Sequence, residues 1–435
     1  MSVAAVLSIG TELTRGELVN GNARWLGDRL VDLGFAVVEH TTVPDDAERI
    51  RGTLLRLARS RDVSIIVCTG GLGPTSDDLT TAVVADALGV ALVRDAASLE
   101  KIEARYRSYG RVMPEMNKKQ ADFPAGARVL ANGVGTAPGF SVQIEGALAF
   151  FMPGVPSEME HIFETQIVPV LVSPENGFFV RRTPQTHIRT FGLFESAVAE
   201  RLRDLDAGGA RHHPDVTIGY RVTFPEVEVK VLAQGADELA ARALAEDVAR
   251  EVRARLKDVA FGGKGETYAQ HVGQLLRASG LKVATAESCT GGLVGKLLTD
   301  QAGSSEYVLG GVISYANSLK TQLLGVSEAL IEKHGAVSEE VARAMAEGAL
   351  RETSADLAVA ITGIAGPGGG SEHKPVGTVC FALAKRAGET RTFTERFPGT
   401  RDFVRTISAY FALRLFAGAA SEKLDVQKAT RVQEA

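Results

Sequence analysis

Ser288 closes an apolar run in LKVATAESCTGGLVGKLLTD, a pattern that predicts a strand, a turn holding Glu287, Ser288, Cys289 and Thr290, and a helix opened by Gly291-Gly292. A hydroxyl at such a turn has helix N–H groups nearby that can hold an oxyanion or a phosphate. Serine is a weak nucleophile and needs a base within hydrogen-bond reach. No histidine sits in a comparable turn, but GGVISYANSLK supplies Tyr315, Asn317 and Lys320 at the end of another apolar run. A partly buried lysine can lose its proton near neutral pH because desolvation disfavours the ammonium ion, and a tyrosine can relay a proton. Ser288, Tyr315 and Lys320 are thus candidates for an acyl-transfer centre of the Ser-Lys type. Spacing alone leaves a second reading open, with Ser288 a helix cap and Lys320 a surface residue. Cys289 has no basic neighbour and reads as buried packing.

A second set of polar residues surrounds a repeated signature, an apolar run breaking into Thr-Gly-x-x-Gly-Pro. It occurs as SIIVCTGGLGP (Ser64 to Pro74) and as LAVAITGIAGP (Leu357 to Pro367). Glycines after a buried strand turn the chain sharply and offer N–H groups to an anion, so each predicts a pocket of nucleotide or phosphate size; a plain tight turn is the other reading. The first loop, with Gly70 and Gly71, runs on through Thr75, Asp77 and Asp78 into a helix. Thr75 and Asp78 have capping-box spacing, and the two adjacent carboxylates also suit Mg²⁺ or a similar hard cation bridging to phosphate. Thr11 and Glu12 follow the first strand, where a parallel sheet would bring Glu12 toward Asp77 and Asp78. Asn117, Lys118, Lys119 and Glu158 add polar groups from MPEMNKKQADFP and MPGVPSEME, the lysines fitting an ordinary solvated helix face equally well.

The elements that would position these groups follow from the periodicity. From residue 3 to about 172 strands alternate with amphipathic helices: AAVLSI, then helix 22–33, strand 35–43, helix 47–58 and strand 63–68. This rhythm implies βαβ units and a parallel sheet with ligands at the carboxyl ends of its strands. Residues 173–260 read as a small α+β connecting module, with strands near 187–191 and 227–233 and an Ala-rich helix over 237–256. FGGKGE (Phe261 to Glu266) reads as a linker. Helices and strands alternate again from 267 to about 417, so the third domain spans 261–420, and 421–435 is polar enough for a loose tail. The predicted class is α/β, with two three-layer α/β domains joined by the α+β module.

Composition agrees with a multi-domain globular protein. The chain has 435 residues, 45% hydrophobic and 23% charged, with a net charge of −5. Lys and Arg are interspersed with acids, which argues against a large nucleic-acid surface. The three cysteines, Cys68, Cys289 and Cys380, lie too far apart for a zinc motif. The absence of a membrane-length apolar stretch and of a basic n-region predicts a cytoplasmic location.

AESCTGG, GGVISYANSLK, HGAVSEEVARAMAEGA, TGIAGPGGG and KPVGTV, in that order, resemble the C-terminal domain of the CinA family. GTELTRGE, GGLGPTSDDLT, NKKQA, GTAPGF and PGVPSEM resemble the molybdopterin-binding-like domain at the N-terminus of the same family. The first resemblance implies a nicotinamide mononucleotide amidohydrolase, with Ser288 as nucleophile, Lys320 as base and Tyr315 passing protons. Amides of the Ser288 turn and of Thr362-Gly363 would hold the oxyanion, Thr290, Gly291 and Asn317 would line the substrate site, and Arg401 and Arg405 would meet the 5'-phosphate. No metal or cofactor is implied there. The second resemblance implies metal-dependent ADP-ribose pyrophosphatase activity, with Asp77 or Asp78 holding a divalent ion, Glu12 or Glu158 assisting, and Lys118 or Lys119 balancing charge. A homodimer and the absence of direct nucleic-acid or membrane binding are also expected. The competing expectations are a molybdopterin-binding protein and a non-catalytic adaptor in DNA uptake or damage response.

Overall fold

The computed structural model describes residues 2–178 and 184–433. It divides into two units, 1–183 and 184–435.

The first unit is built on a six-stranded sheet in the order β2-β1-β3-β8-β7-β6, from β1 (Val3–Ile9), β2 (Ala36–Val43), β3 (Val63–Thr69), β6 (Arg128–Leu130), β7 (Gly139–Ile144) and β8 (Ala147–Met152). A two-stranded ribbon, β4 (Leu92–Arg94) with β5 (Asp122–Pro124), stands apart from it. β3 is buried along nearly its whole length, as a strand covered on both faces must be. Successive side chains point to opposite faces, so Phe151 joins Leu7, Ile66 and Phe140 in one core while Phe150 joins Val6, Leu26 and Met152 in the other. This is the expected three-layer arrangement. Four strands are parallel, but β7 pairs antiparallel with β8 and β6 antiparallel with β7, so the sheet is mixed rather than purely parallel. The reason is local: the two-residue turn Glu145-Gly146, with Glu145 at φ +50°, joins Ile144 to Ala147, and a hairpin reverses direction without a helical crossover. The predicted helices form over Gly21–Asp32 and Ala47–Arg59, capped by Asn20 accepting from Ala23 N–H and by Asp46 accepting from Arg49 N–H.

The second unit contains the module and the third predicted domain. The module sheet, β10-β11-β9-β12, is antiparallel throughout: β9 (Gln185–Phe191), β10 (Val216–Thr223), β11 (Glu226–Ala233) and β12 (Ala260–Gly262). The expected helix forms over Glu238–Arg255, and a second helix over Glu195–Leu202 packs with it on one apolar core. Phe261 lies in β12 and is not part of a linker: its neighbours Ala260 and Gly262 pair with β9, and its ring packs on Tyr268 at 5.0 Å.

The remaining sheet has the order β14-β13-β15-β16-β17, from β13 (Val283–Glu287), β14 (Val308–Ile313), β15 (Leu357–Gly363), β16 (Thr378–Lys385) and β17 (Arg391–Arg396). β14, β13 and β15 are parallel, and β16 and β17 return antiparallel. Cores lie on both faces, with Val283 in one and Ala284 and Ala286 in the other. The C-terminal helix covers Arg401–Gln433, so the loose tail expected from 421 is helical to 433. Ala419 and Ala420 are buried, and Glu422 accepts a hydrogen bond from Lys385 at 2.7 Å, which carries the helix past the point where composition turns polar. Among the described residues no helix is long and apolar enough to cross a membrane.

Candidate active site

Three strand ends build the C-terminal site. β13 delivers Glu287 and Ser288, the loop after β14 delivers Ser314 and Tyr315, and β15 lies beside them, accepting the Ser288 N–H at Ile361 O (2.9 Å). The helix Asn317–Leu324 then turns Lys320 back under the loop that precedes it. Lys320 is 1% exposed, and its Nζ lies 3.2 Å from Ser288 Oγ, 2.8 Å from Ser314 O and 3.4 Å from Tyr315 O. Two of these partners are carbonyls that can only accept. A neutral amine has two N–H groups for the carbonyls and one lone pair, which the Ser288 hydroxyl can meet. Burial pushes the Lys320 ammonium below its ordinary value, because desolvation disfavours the charged form. The surface-lysine reading is therefore excluded.

Glu287 carries a role that sequence reasoning missed. Its buried carboxylate accepts the N–H groups of Gly292 (2.9 Å), Val294 (3.1 Å) and Gly295 (2.9 Å), at the start of the helix Leu293–Thr299. Helix N–H groups expected near Ser288 for an oxyanion or a phosphate are thus met, at these three positions, by the protein's own carboxylate. The turn that permits this has Gly291 and Gly292 in left-handed conformation, and a Cβ on Gly292 would meet Ile313 Cδ1 at 2.8 Å. An acid four residues ahead of the Gly291-Gly292 helix start was the available signal.

The other predicted residues fall around this centre. The Tyr315 hydroxyl accepts from Arg401 at 2.8 Å, and Arg401 also donates to Gly366 O at 2.8 Å. Tyr315 thus reaches Lys320 through its carbonyl and turns its phenol to the arginine, which corrects the expected proton relay. Arg405 donates to Thr290 O at 2.9 Å, so Arg405 faces the Ser288 turn while Arg401 faces Tyr315 and the Gly366 loop. The hydroxyls of Thr290 and Ser314 are fully buried without a hydrogen-bond partner. Thr362 is buried at the end of β15 and donates to Ala336 O at 2.8 Å, and Gly363 packs against Val379. Asn317 is exposed at the first turn of the helix carrying Lys320. The Cys289 thiol is buried and pushed up to about 12 by desolvation, consistent with packing rather than nucleophilic use.

In the first unit the glycine loop lies at the carboxyl end of β3, as expected. Gly70 has φ +106°, and a Cβ there would meet Ile9 O at 2.0 Å, so only glycine lets the loop pass the end of β1. Thr80 Oγ1 donates to Gly70 O, and a Cβ on Gly71 would meet that hydroxyl. Asp78 Oδ2 accepts from both N–H (2.9 Å) and Oγ1 (2.5 Å) of Thr75. The helix begins only at Thr80, so the Thr75-Asp78 pair closes the loop and does not cap the helix. Asp77 is exposed, and the neighbouring Thr75 side chain holds its carboxyl below the ordinary value. Lys119 donates to Thr75 O at 2.6 Å, whereas Lys118 pairs with Glu115 and the buried Asn117 with Gln120. Thr11 is bonded to Asp45 through N–H (2.8 Å) and Oγ1 (2.9 Å), and the Glu12 carboxylate folds against Gly10. Glu158 accepts from Asn132 at 2.6 Å, and partial burial raises its carboxyl. Among the described residues no group of three or more His, Cys, Asp or Glu side chains is disposed to hold a metal. Glu12 and Glu158 therefore do not complete a preformed cage with Asp77 and Asp78. The two aspartates fit a hard cation only as part of a site that substrate phosphates would complete.

Fold and site together define a multi-domain α/β protein with a buried serine–lysine pair in one domain and a glycine loop edged by carboxylates in another. Three family models match: "CinA C-terminal domain" over residues 265–419, "Probable molybdopterin binding domain" over 5–173 and "Damage-inducible protein CinA KH domain" over 185–262. The chain is 44% identical to a CinA-like protein of Geobacter metallireducens over 94% of this chain and 97% of that one, and 40% identical to a CinA-like protein of Nostoc sp. over 95% and 98%. A solved structure, the competence/damage inducible protein CihA from Agrobacterium tumefaciens, is 40% identical over 35% of this chain and 96% of its own, with a TM-score of 0.34. The chain belongs to the CinA family.

Proposed function

We propose that the C-terminal domain hydrolyses the carboxamide of nicotinamide mononucleotide to the carboxylate, with release of ammonia. The supporting observation is Lys320, a buried amine 3.2 Å from the Ser288 hydroxyl whose remaining hydrogen bonds go to backbone carbonyls. Ser288 Oγ attacks the carboxamide carbon, which the pyridinium ring makes electron-poor, while its proton passes to Lys320 Nζ. The resulting ammonium returns that proton to the nitrogen of the tetrahedral adduct, the C–N bond breaks, and ammonia leaves an ester on Ser288. Water then attacks the ester carbonyl, Lys320 again takes the proton, and returning it to Ser288 Oγ frees nicotinate mononucleotide. Arg401 and Arg405 hold the 5'-phosphate, for which a guanidinium fork is well shaped. Glu287 keeps the Ser288 turn rigid through three backbone N–H groups.

For the N-terminal domain we propose hydrolysis of ADP-ribose to AMP and ribose 5-phosphate, supported by the glycine loop with Asp77, Asp78 and Lys119 at its edge. A divalent ion held by Asp77 and Asp78 together with the diphosphate would supply charge neutralisation. Gly70 and Gly71 leave room for phosphate against the backbone, and Lys119 balances charge. The match to a molybdopterin-binding model favours a second reading of this domain, as a pterin-binding site. Purified protein given nicotinamide mononucleotide, ADP-ribose and molybdopterin separately tests all three readings. Ammonia and AMP are the expected products, and pterin binding without AMP would replace the pyrophosphatase reading. A homodimer in the cytoplasm completes the proposal, checked by light scattering and cell fractionation.

A further inference from the structure

The C-terminal helix lies between the module of residues 185–262 and the Ser288 turn. At about 100° per residue, Arg401 and Arg405 share one stripe, and Phe403, Tyr410 and Arg414 share another about 180° away. The first stripe meets the site, through Arg401 to Tyr315 and Gly366 and through Arg405 to Thr290. The second meets the module at three heights. Phe403 stacks on Phe224 at 4.7 Å, at the tip of the β10–β11 hairpin. Tyr410 donates to Glu226 Oε1 at 3.1 Å and packs on Phe191 at 5.3 Å, and Arg414 lies beside Gly192. Glu226 is 2% exposed and also accepts the Tyr268 N–H at 3.0 Å and the Arg189 guanidinium, so the turn end of the hairpin is fixed in turn.

We infer that the module is a brace that positions Arg401 and Arg405 over the Ser288 site, with Phe224 and Glu226 as its contact residues. The first turn of a helix lacks preceding i−4 partners and frays readily, yet this one carries Arg401. Its local support is Thr400, whose carbonyl accepts the Val404 N–H (2.9 Å) and whose hydroxyl accepts the Phe403 N–H (3.3 Å). The Phe224 ring supplies the restraint from outside. Its functional consequence rests on the phosphate role proposed above for the two arginines, whereas the mechanical part does not.

Phe224→Ala in the full chain tests it, since Phe224 is 46% exposed at a hairpin tip and the core is untouched. Amide hydrogen exchange over residues 401–408 should accelerate at least ~10-fold while 293–299 stays unchanged, and Phe224→Tyr should restore it. Tyr410→Phe, which removes the hydroxyl bond to Glu226, should act in the same direction. KM for nicotinamide mononucleotide should rise about ten-fold in Phe224→Ala with kcat within about two-fold. Unchanged exchange over 401–408, or a wild-type KM in an active variant, overturns the brace. A wild-type chain that never releases ammonia counts against the deamidation reading alone, and the exchange measurement still decides the brace.

Discussion

Lys320 Nζ and Ser288 Oγ lie 3.2 Å apart, with the other contacts of the amine made to the carbonyls of Ser314 and Tyr315. A permanently charged lysine would call for an acidic partner in such a place, and the hydrogen bonds here go to neutral oxygens. This is the geometry on which the proposed proton transfer from Ser288 to Lys320 rests.

Ser288→Ala and Lys320→Met should each lower ammonia release by about 10²–10⁴-fold. AMP formation from ADP-ribose on the same samples should stay at the wild-type rate, because its residues lie in the other unit. Joint loss in a folded variant would refute two independent sites.

The deamidation rate should rise with pH as Lys320 loses its proton, with a midpoint below the ordinary lysine value. Stability follows the same group. Native Lys320 deprotonates before the unfolded chain does, so between the two pKa values the unfolded state binds more protons and stability increases with pH. Lys320→Met should remove this slope, and denaturant titrations of both proteins across that alkaline window would reveal it.

Glu287→Ala should destabilise the second unit by about 2 kcal/mol or more, since three amides of a partly buried helix start lose their acceptor. Calorimetry should show the fall in Tm confined to the transition of that unit. Ammonia release should drop through kcat, because the Ser288 turn loses its anchor.

Arg405→Ala should raise KM for nicotinamide mononucleotide about 10–100-fold, the worth of a charge-assisted hydrogen bond. The dephosphorylated nucleoside should be turned over equally by variant and wild type. A variant that discriminates against both substrates alike would move the phosphate site elsewhere.

Asp78→Ala, and separately a chelator series, should suppress AMP formation and spare ammonia release. Chelator-sensitive ammonia release would contradict a serine–lysine route.

The strand–helix rhythm of the first 69 residues was legible because period-2 and period-3.6 patterns are local, and the caps Asn20 and Asp46 sit where polar residues precede apolar faces. The turn types were equally plain at Gly70-Gly71 and Gly291-Gly292, since left-handed backbone favours glycine wherever it occurs. Residue types alone also marked Ser288 and Lys320 as candidates. Tertiary structure decided that Lys320 is buried, that Glu287 rather than a substrate holds the helix amides, and that the Tyr315 phenol turns to Arg401. It also decided that β7 and β16 run against the parallel strands and that the last helix continues past 421. Those outcomes depend on which distant groups compete for the same hydrogen bond or the same face of a helix. Such competition is fixed only when strands far apart in the chain lie side by side.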